Sequence, residues 1–249
     1  MFKVLNTLSR SSERETRDHL QSKLDLTPIP KDEQIKNLGL FMDRQTWSHY
    51  LFLLHIYKEM LPVHGNIMEF GVRWGRNMAA FSAFRGVFEP FNYTRKIIGF
   101  DTFSGFPSVH EKDGSNNVIS NGAYGVTEGY ENELADILML QEAQSPIAHL
   151  QKFELVKGDV TQTLDVFLDK HPETLVALAY FDLDIYEPTR HCLKRILPLM
   201  PKGAVIGFDE LNDPNFPGES IAVKEIMNIR ESRLQRLPFA PRTSFMVLE

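Results

Sequence analysis

Four acids sit close behind two candidate strands: Asp182 and Asp184 in Phe181-Asp182-Leu183-Asp184-Ile185-Tyr186-Glu187, and Asp209 and Glu210 in Phe208-Asp209-Glu210. If each follows a strand, four carboxylates arrive at one edge, where like charges repel and ionisation becomes costly. A hard divalent cation with oxygen ligands relieves that cost, and Mg²⁺ keeps positions open for water and substrate. The alternative is that the acids are solvated loop and cap residues. In an extended segment Asp182 and Asp184 project to the same side, about 6–7 Å apart.

A second group is Glu69-Phe70-Gly71-Val72-Arg73-Trp74-Gly75-Arg76-Asn77. Its glycines let backbone amides approach a ligand, and the helix start behind them favours a carboxylate or phosphate. Equally, the glycines serve a turn that needs tight packing. The spacing is not that of the dinucleotide fingerprint. Asp101 follows some thirty residues later at the end of a strand, where a carboxylate can accept both hydroxyls of a ribose or simply close a turn. Asp159 ends the next strand and either meets an adenine amino group or caps a helix.

These positions need elements to hold them. Residues 66–70, 96–100, 153–157, 175–181 and 203–208 read as short buried strands, separated by helices over about 77–88, 164–170, 188–199 and from 220 on. Two more strands fall near 234–238 and 244–248. Thr161 reads as the cap of the helix at 164–170, and Pro188 sits in the first turn of the next. Alternation of strand and helix implies a doubly wound, mostly parallel α/β sheet of seven strands. In such sheets the ligand crevice lies outside the carboxyl ends of the strands, so Gly71, Asp101, Asp159, Asp182 and Asp209 are expected to face one crevice. Residues 47–61 are apolar nearly all round and predict a buried helix, as core or subunit interface, with His49 and His55 as core or interface histidines. Residues 1–45 form a helical arm, either solvated, packed on a partner, or capping the site. Residues 105–150 form an insertion with a helix near 130–144, expected to act as a lid.

The totals narrow the class. A chain of 249 residues suits one large α/β domain, with 43% hydrophobic and 24% charged residues. The net charge of −6 argues against nucleic acid or an anionic membrane surface, both of which demand a basic face. The single Cys192 forms no internal disulfide and reads as a small core residue. The start, MFKVLNTLSRSSERE, has too short an apolar stretch for a secretory leader, and no apolar run spans a bilayer. Cytoplasm is the expected compartment.

The segments IMEFGVRWGRN, IIGFDTFSGFP, VKGDVTQTL, YFDLDIYEPT and IGFDELND resemble, in order and spacing, the macrocin-type O-methyltransferases. The resemblance runs from about Arg44 to the end of the chain. It implies a Rossmann-like class I methyltransferase fold and methyl transfer from S-adenosylmethionine (SAM) to a hydroxyl of a sugar or glycosylated small molecule, with Mg²⁺. It implies that Glu69, Gly71, Gly75, Arg76, Asn77, Asp101, Thr102, Asp159, Val160 and Asp182 line SAM, with Asp101 at its ribose and Asp159 at its adenine. Asp182, Asp209 and Glu210 would hold the metal, although the family's acidic pair usually ends in Asp where this chain has Glu210. Asp184 would be the general base. A homo-oligomer, dimer or tetramer, is expected. The rivals are a sugar-nucleotide or acyl-CoA enzyme using the same crevice, and a SAM-binding subunit without catalysis.

Overall fold

The structure, a computed structural model, describes residues 10–249; residues 1–9 of the expected arm lie outside the described residues. The strands are β1 (Asn66–Phe70), β2 (Ile97–Asp101), β3 (Phe153–Lys157), β4 (Val176–Phe181), β5 (Val205–Phe208), β6 (Gln235–Leu237) and β7 (Ala240–Val247). They form one seven-stranded sheet in the order β3-β2-β1-β4-β5-β7-β6. Pairing is parallel except at β7, which runs antiparallel to β5 and β6. This is the doubly wound sheet expected from the alternation.

The helices are α1 (Ser11–Asp25), α2 (Lys31–Gln34), α3 (Arg44–Met60), α4 (Arg76–Phe88), α5 (Tyr130–Glu142), α6 (Val160–Lys170), α7 (Tyr186–Ile196) and α8 (Pro217–Ile226). α4 touches α3 and α5, and α7 touches α6 and α8, with α4 and α6 both against β2. Two helical layers therefore enclose the sheet, as right-handed crossovers require. The strand order reverses between β1 and β4, the switch point at which such folds bind ligands.

A ladder of aromatic rings levels the strand ends. Phe70 pairs in register with Phe100 and Phe181, and Phe181 with Phe208. The rings stack across four neighbouring strands at centroid distances of 5.3, 4.9 and 5.4 Å, all fully buried. Each such contact adds roughly 0.5–1.5 kcal/mol beyond burial. The residue after each phenylalanine is Gly71, Asp101, Asp182 or Asp209, so one in-register stack brings all four to one height.

Some expectations shift. α3 is not buried all round: Phe52, Leu53, Ile56, Tyr57 and Met60 enter the core, while Trp47 and Leu51 are each 48% exposed, because the helix covers the sheet from one side. His49 is buried and Cys192 is fully so, as expected for core residues. α8 begins three residues before the predicted start, with Pro217 in its first turn. α6 begins at Val160 and is capped by Asp159 rather than Thr161. α1 forms but buries no residue of its own. Among the described residues, no helix is long and apolar enough to cross a membrane.

Candidate active site

At the carboxyl ends of β1, β2, β4 and β5 lies a crevice of about 510 Å³, within the range of small-molecule sites. Gly71, Asp101, Asp159, Asp182 and Asp209 all line it, as the topology predicted. Arg76, Thr102, Val160, Asp184 and Glu210 line it too. Glu69, Gly75 and Asn77 do not. Glu69 points from β1 under the start of α4. Burial pushes its carboxyl well above the usual range, against the pull of Asn77, Arg76 and the Met78 amide. Asn77 Oδ1 sits 2.7 Å from His49 Nε2. Burial, followed by the Arg76 charge, holds His49 below the ordinary imidazole range. Gly75 is left-handed (φ 79°), and a Cβ there would come within 2.2 Å of Leu134. Its glycine serves helix packing.

Gly71 and Asp101 organise the floor. Gly71 has φ 94°, and a Cβ would lie 1.9 Å from the Asp182 carbonyl oxygen, so only glycine lets the ends of β1 and β4 approach. The Val72 and Arg73 amides each donate to Asp101 Oδ2 at 2.7 Å, and the Phe103 amide to Oδ1 at 2.6 Å. Asp101 thus ties the glycine loop to its own loop while facing the crevice. Asp159 takes the cap role that the sequence left open, accepting at Oδ1 from the Thr161 amide and hydroxyl at 2.9 and 2.7 Å. It still faces the crevice. A glycine turn, a carboxylate on the next strand and a helix start form a set that suits a nucleoside with a charged tail.

The acids differ in their partners. Asp182 is held by its amide, which donates to the Phe70 carbonyl at 2.8 Å. Burial, then the Asp209 and Asp184 charges, raise its pKa well above the usual range. Asp209 Oδ1 accepts from the Tyr180 hydroxyl at 3.0 Å. Asp184 does not continue an extended segment. Its φ is 64°, and the Ile185 amide donates to the Leu183 carbonyl at 2.7 Å, so the chain turns sharply at the predicted base. Burial first, and then Asp209, raise the Asp184 pKa to about 7.

The three expected metal donors do not come together. The Glu210 carboxylate is turned to the Arg242 guanidinium, and among the described residues no group of three or more His, Cys, Asp or Glu side chains is set to hold a metal ion. The reason is register. Phe208 pairs with Ser244 across the antiparallel β5–β7 ladder, and two further residues bring Glu210 opposite Arg242. The pairing sets a positive charge beside Glu210.

Sequence reasoning placed Arg76 at the crevice but gave no role to three other arginines there. Arg17 from α1, Arg73, Arg76 and Arg242 all line the crevice. Arg17 brings one side chain of the N-terminal arm to the site. From the insertion, Gly105, Phe106, Pro107 and Tyr124 reach the crevice. The Arg73 guanidinium lies 5.1 Å over the Tyr124 ring. Burial and then the Asp184 charge push the Tyr124 hydroxyl up to about 12. No local pattern marks Arg17, Tyr124 and Arg242, because each is recruited from a separate element.

No family model matches the chain, and no curated protein does. Among solved structures it is similar to CalS11, a calicheamicin methyltransferase, with a TM-score of 0.94 and 40% identity over 96% of this chain and 93% of that one. An apo structure of CalS11, a TDP-rhamnose 3'-O-methyltransferase, matches with a TM-score of 0.85 and 38% identity over 96% and 95%. The O-methyltransferase NovP shares the fold at a TM-score of 0.64 and 17% identity, over 94% and 98%.

Proposed function

This chain belongs to the SAM-dependent O-methyltransferases, and from that membership we propose that it methylates a hydroxyl of a nucleotide-activated sugar, with Asp184 as general base. The observation that carries the acceptor is the 38% identity, over 95% of its length, to an enzyme that acts on TDP-rhamnose. The crevice is consistent with it: Arg17 and Arg73 line it and bring positive charge toward a diphosphate. The macrocin-type motifs fit the same reading, because those enzymes also methylate sugar hydroxyls.

When bound, SAM supplies a methyl carbon on a positively charged sulfur, which departs with the C–S electron pair as the acceptor oxygen forms the new C–O bond. Asp101 and the loops it ties set the cofactor half of the crevice. Asp184 faces the acceptor half and takes the hydroxyl proton as that oxygen attacks. Tyr124 and Phe106 of the lid, with Arg73, cover the crevice and keep water from competing. The main contribution of the fold is to align oxygen, carbon and sulfur. No step is assigned to Mg²⁺, because Glu210, the third donor expected for it, is engaged by Arg242.

Incubation with SAM and TDP-rhamnose, followed by mass spectrometry of the sugar nucleotide and detection of S-adenosylhomocysteine, tests the proposal. A methylated sugar nucleotide is expected. Methylation of a free rhamnoside with TDP-rhamnose untouched would overturn the activated-sugar reading. On the cofactor side, Asp101→Ala should abolish SAM binding by calorimetry. It leaves the Val72, Arg73 and Phe103 amides without their acceptor, at about 1–3 kcal/mol each. SAM affinity at the wild-type level in this variant would refute the organising role of Asp101.

A further inference from the structure

α7 starts without a cap of its own. Its N-cap residue is Ile185, which has no side-chain acceptor, and the first amides of a helix need acceptors from elsewhere. The acceptor comes from the lid. Tyr186 N–H donates to Asp113 Oδ1 at 2.6 Å across a sequence separation of 73 residues. The other oxygen, Oδ2, accepts from the His110 amide at 2.7 Å. Asp113 is 1% exposed. Gly218 of α8 makes room for it: a Cβ there would lie 2.2 Å from Asp113 Oδ1 and 2.7 Å from the Tyr186 nitrogen.

The same lid segment holds the Tyr186 side chain. Lys112 Nζ lies 4.1 Å above its ring and donates to its hydroxyl at 3.0 Å and to Glu225 Oε1 at 2.7 Å. The Tyr186 hydroxyl donates to Glu225 Oε2 at 2.5 Å. The His110 ring packs against the Tyr186 ring at 4.9 Å. Tyr186 follows Asp184 by two residues, and Asp184 occupies a left-handed conformation (φ 64°) that a non-glycine residue keeps only where its surroundings impose it.

We propose that Asp113 is a positioning residue for methyl transfer: by capping α7 from the lid it fixes the turn that presents Asp184 to the acceptor hydroxyl. The lid is then part of the catalytic geometry as well as a cover. The inference rests on Asp184 being the general base.

Steady-state kinetics with SAM and TDP-rhamnose test it. Asp113→Ala should lower kcat about 10- to 100-fold, the scale of a slightly misplaced catalytic group, with KM for SAM unchanged. Asp113→Asn keeps an oxygen for the Tyr186 amide but loses the His110 contact. It should recover part of the rate, ending about 3- to 10-fold below wild type. This variant also answers the question should the alanine variant fail to fold. Wild-type kcat in either variant, or a change confined to KM, overturns the positioning role. Wild-type activity in Asp184→Asn overturns the base reading beneath it instead, so the two failures are distinguishable.

Discussion

Asp184→Asn should lower kcat by roughly 10² to 10⁴, the usual scale for a lost general base, while SAM affinity stays near wild type. Asparagine keeps the size of the side chain and tolerates a positive φ, so the turn at φ 64° survives and only proton acceptance is lost. In the wild-type enzyme kcat should rise with pH through about 7, where burial and the Asp209 charge place the Asp184 pKa, and level off above it. The sign for stability is the opposite. The folded pKa lies above the ordinary value of 3.8, so the contribution of Asp184 to stability is full below that value and is lost as pH rises through about 7. The ionised, active form is therefore the less stable one. Single-turnover rates across pH read the first effect, and denaturant titrations across pH read the second. A kcat in Asp184→Asn within a few-fold of wild type, or a flat pH profile around 7, would remove Asp184 from the chemistry.

Glu142→Ala should destabilise the fold by about 3–5 kcal/mol, the cost of breaking a buried ion pair from one side, or about 6–20 °C in Tm for a chain of this size. Glu142 ends α5 and is 3% exposed. Its Oε1 meets the Arg85 guanidinium of α4 and lies 2.9 Å from Lys152 Nζ, and its Oε2 accepts from the Lys152 amide at 2.8 Å. Arg85 and Lys152 are each 2% exposed, so the alanine variant strands two cations where water does not reach. Burial alone would raise the Glu142 pKa; the Lys152 and Arg85 hydrogen bonds more than offset it, and the net shift is downward. Its stabilisation is present at neutral pH and lost as pH falls below the usual carboxylate range. Replacing Glu142, Arg85 and Lys152 together with apolar residues should recover most of the loss. Urea unfolding measures both, and a loss below about 1 kcal/mol in the single variant, the level of an exposed pair, would show that the cluster is solvated.

Much of the crevice was legible because it repeats locally. Phe70-Gly71, Phe100-Asp101, Phe181-Asp182 and Phe208-Asp209 each place an apolar strand residue before a glycine or an acid. Strand periodicity and the rule for open parallel sheets then predict that these positions meet at one edge. The roles of individual residues were less legible. Gly75 reads as a ligand glycine from the sequence, yet its freedom serves the packing of Leu134. Asp159 read as ligand or cap; it makes the cap contacts to Thr161 and also lines the crevice. An arginine far along the chain carries no mark of its target, which is why Arg242 went unread.

The alternation of strands and helices, the parallel sheet and the set of residues at its carboxyl edge are written in the chain. All of these follow from side-chain periods of two and 3.6 residues and from what ends a strand, which are properties of short windows. The partners come from the assembled fold. The antiparallel register of β7 on β5 brings Arg242 to Glu210, and the insertion brings Asp113 to the bare start of α7. The turn at Asp184 likewise replaces the extended geometry that spacing alone implied. A hydrogen bond or ion pair depends on where two elements meet in space, and residues that lie dozens of positions apart in the chain find each other only once the sheet and both helical layers are assembled.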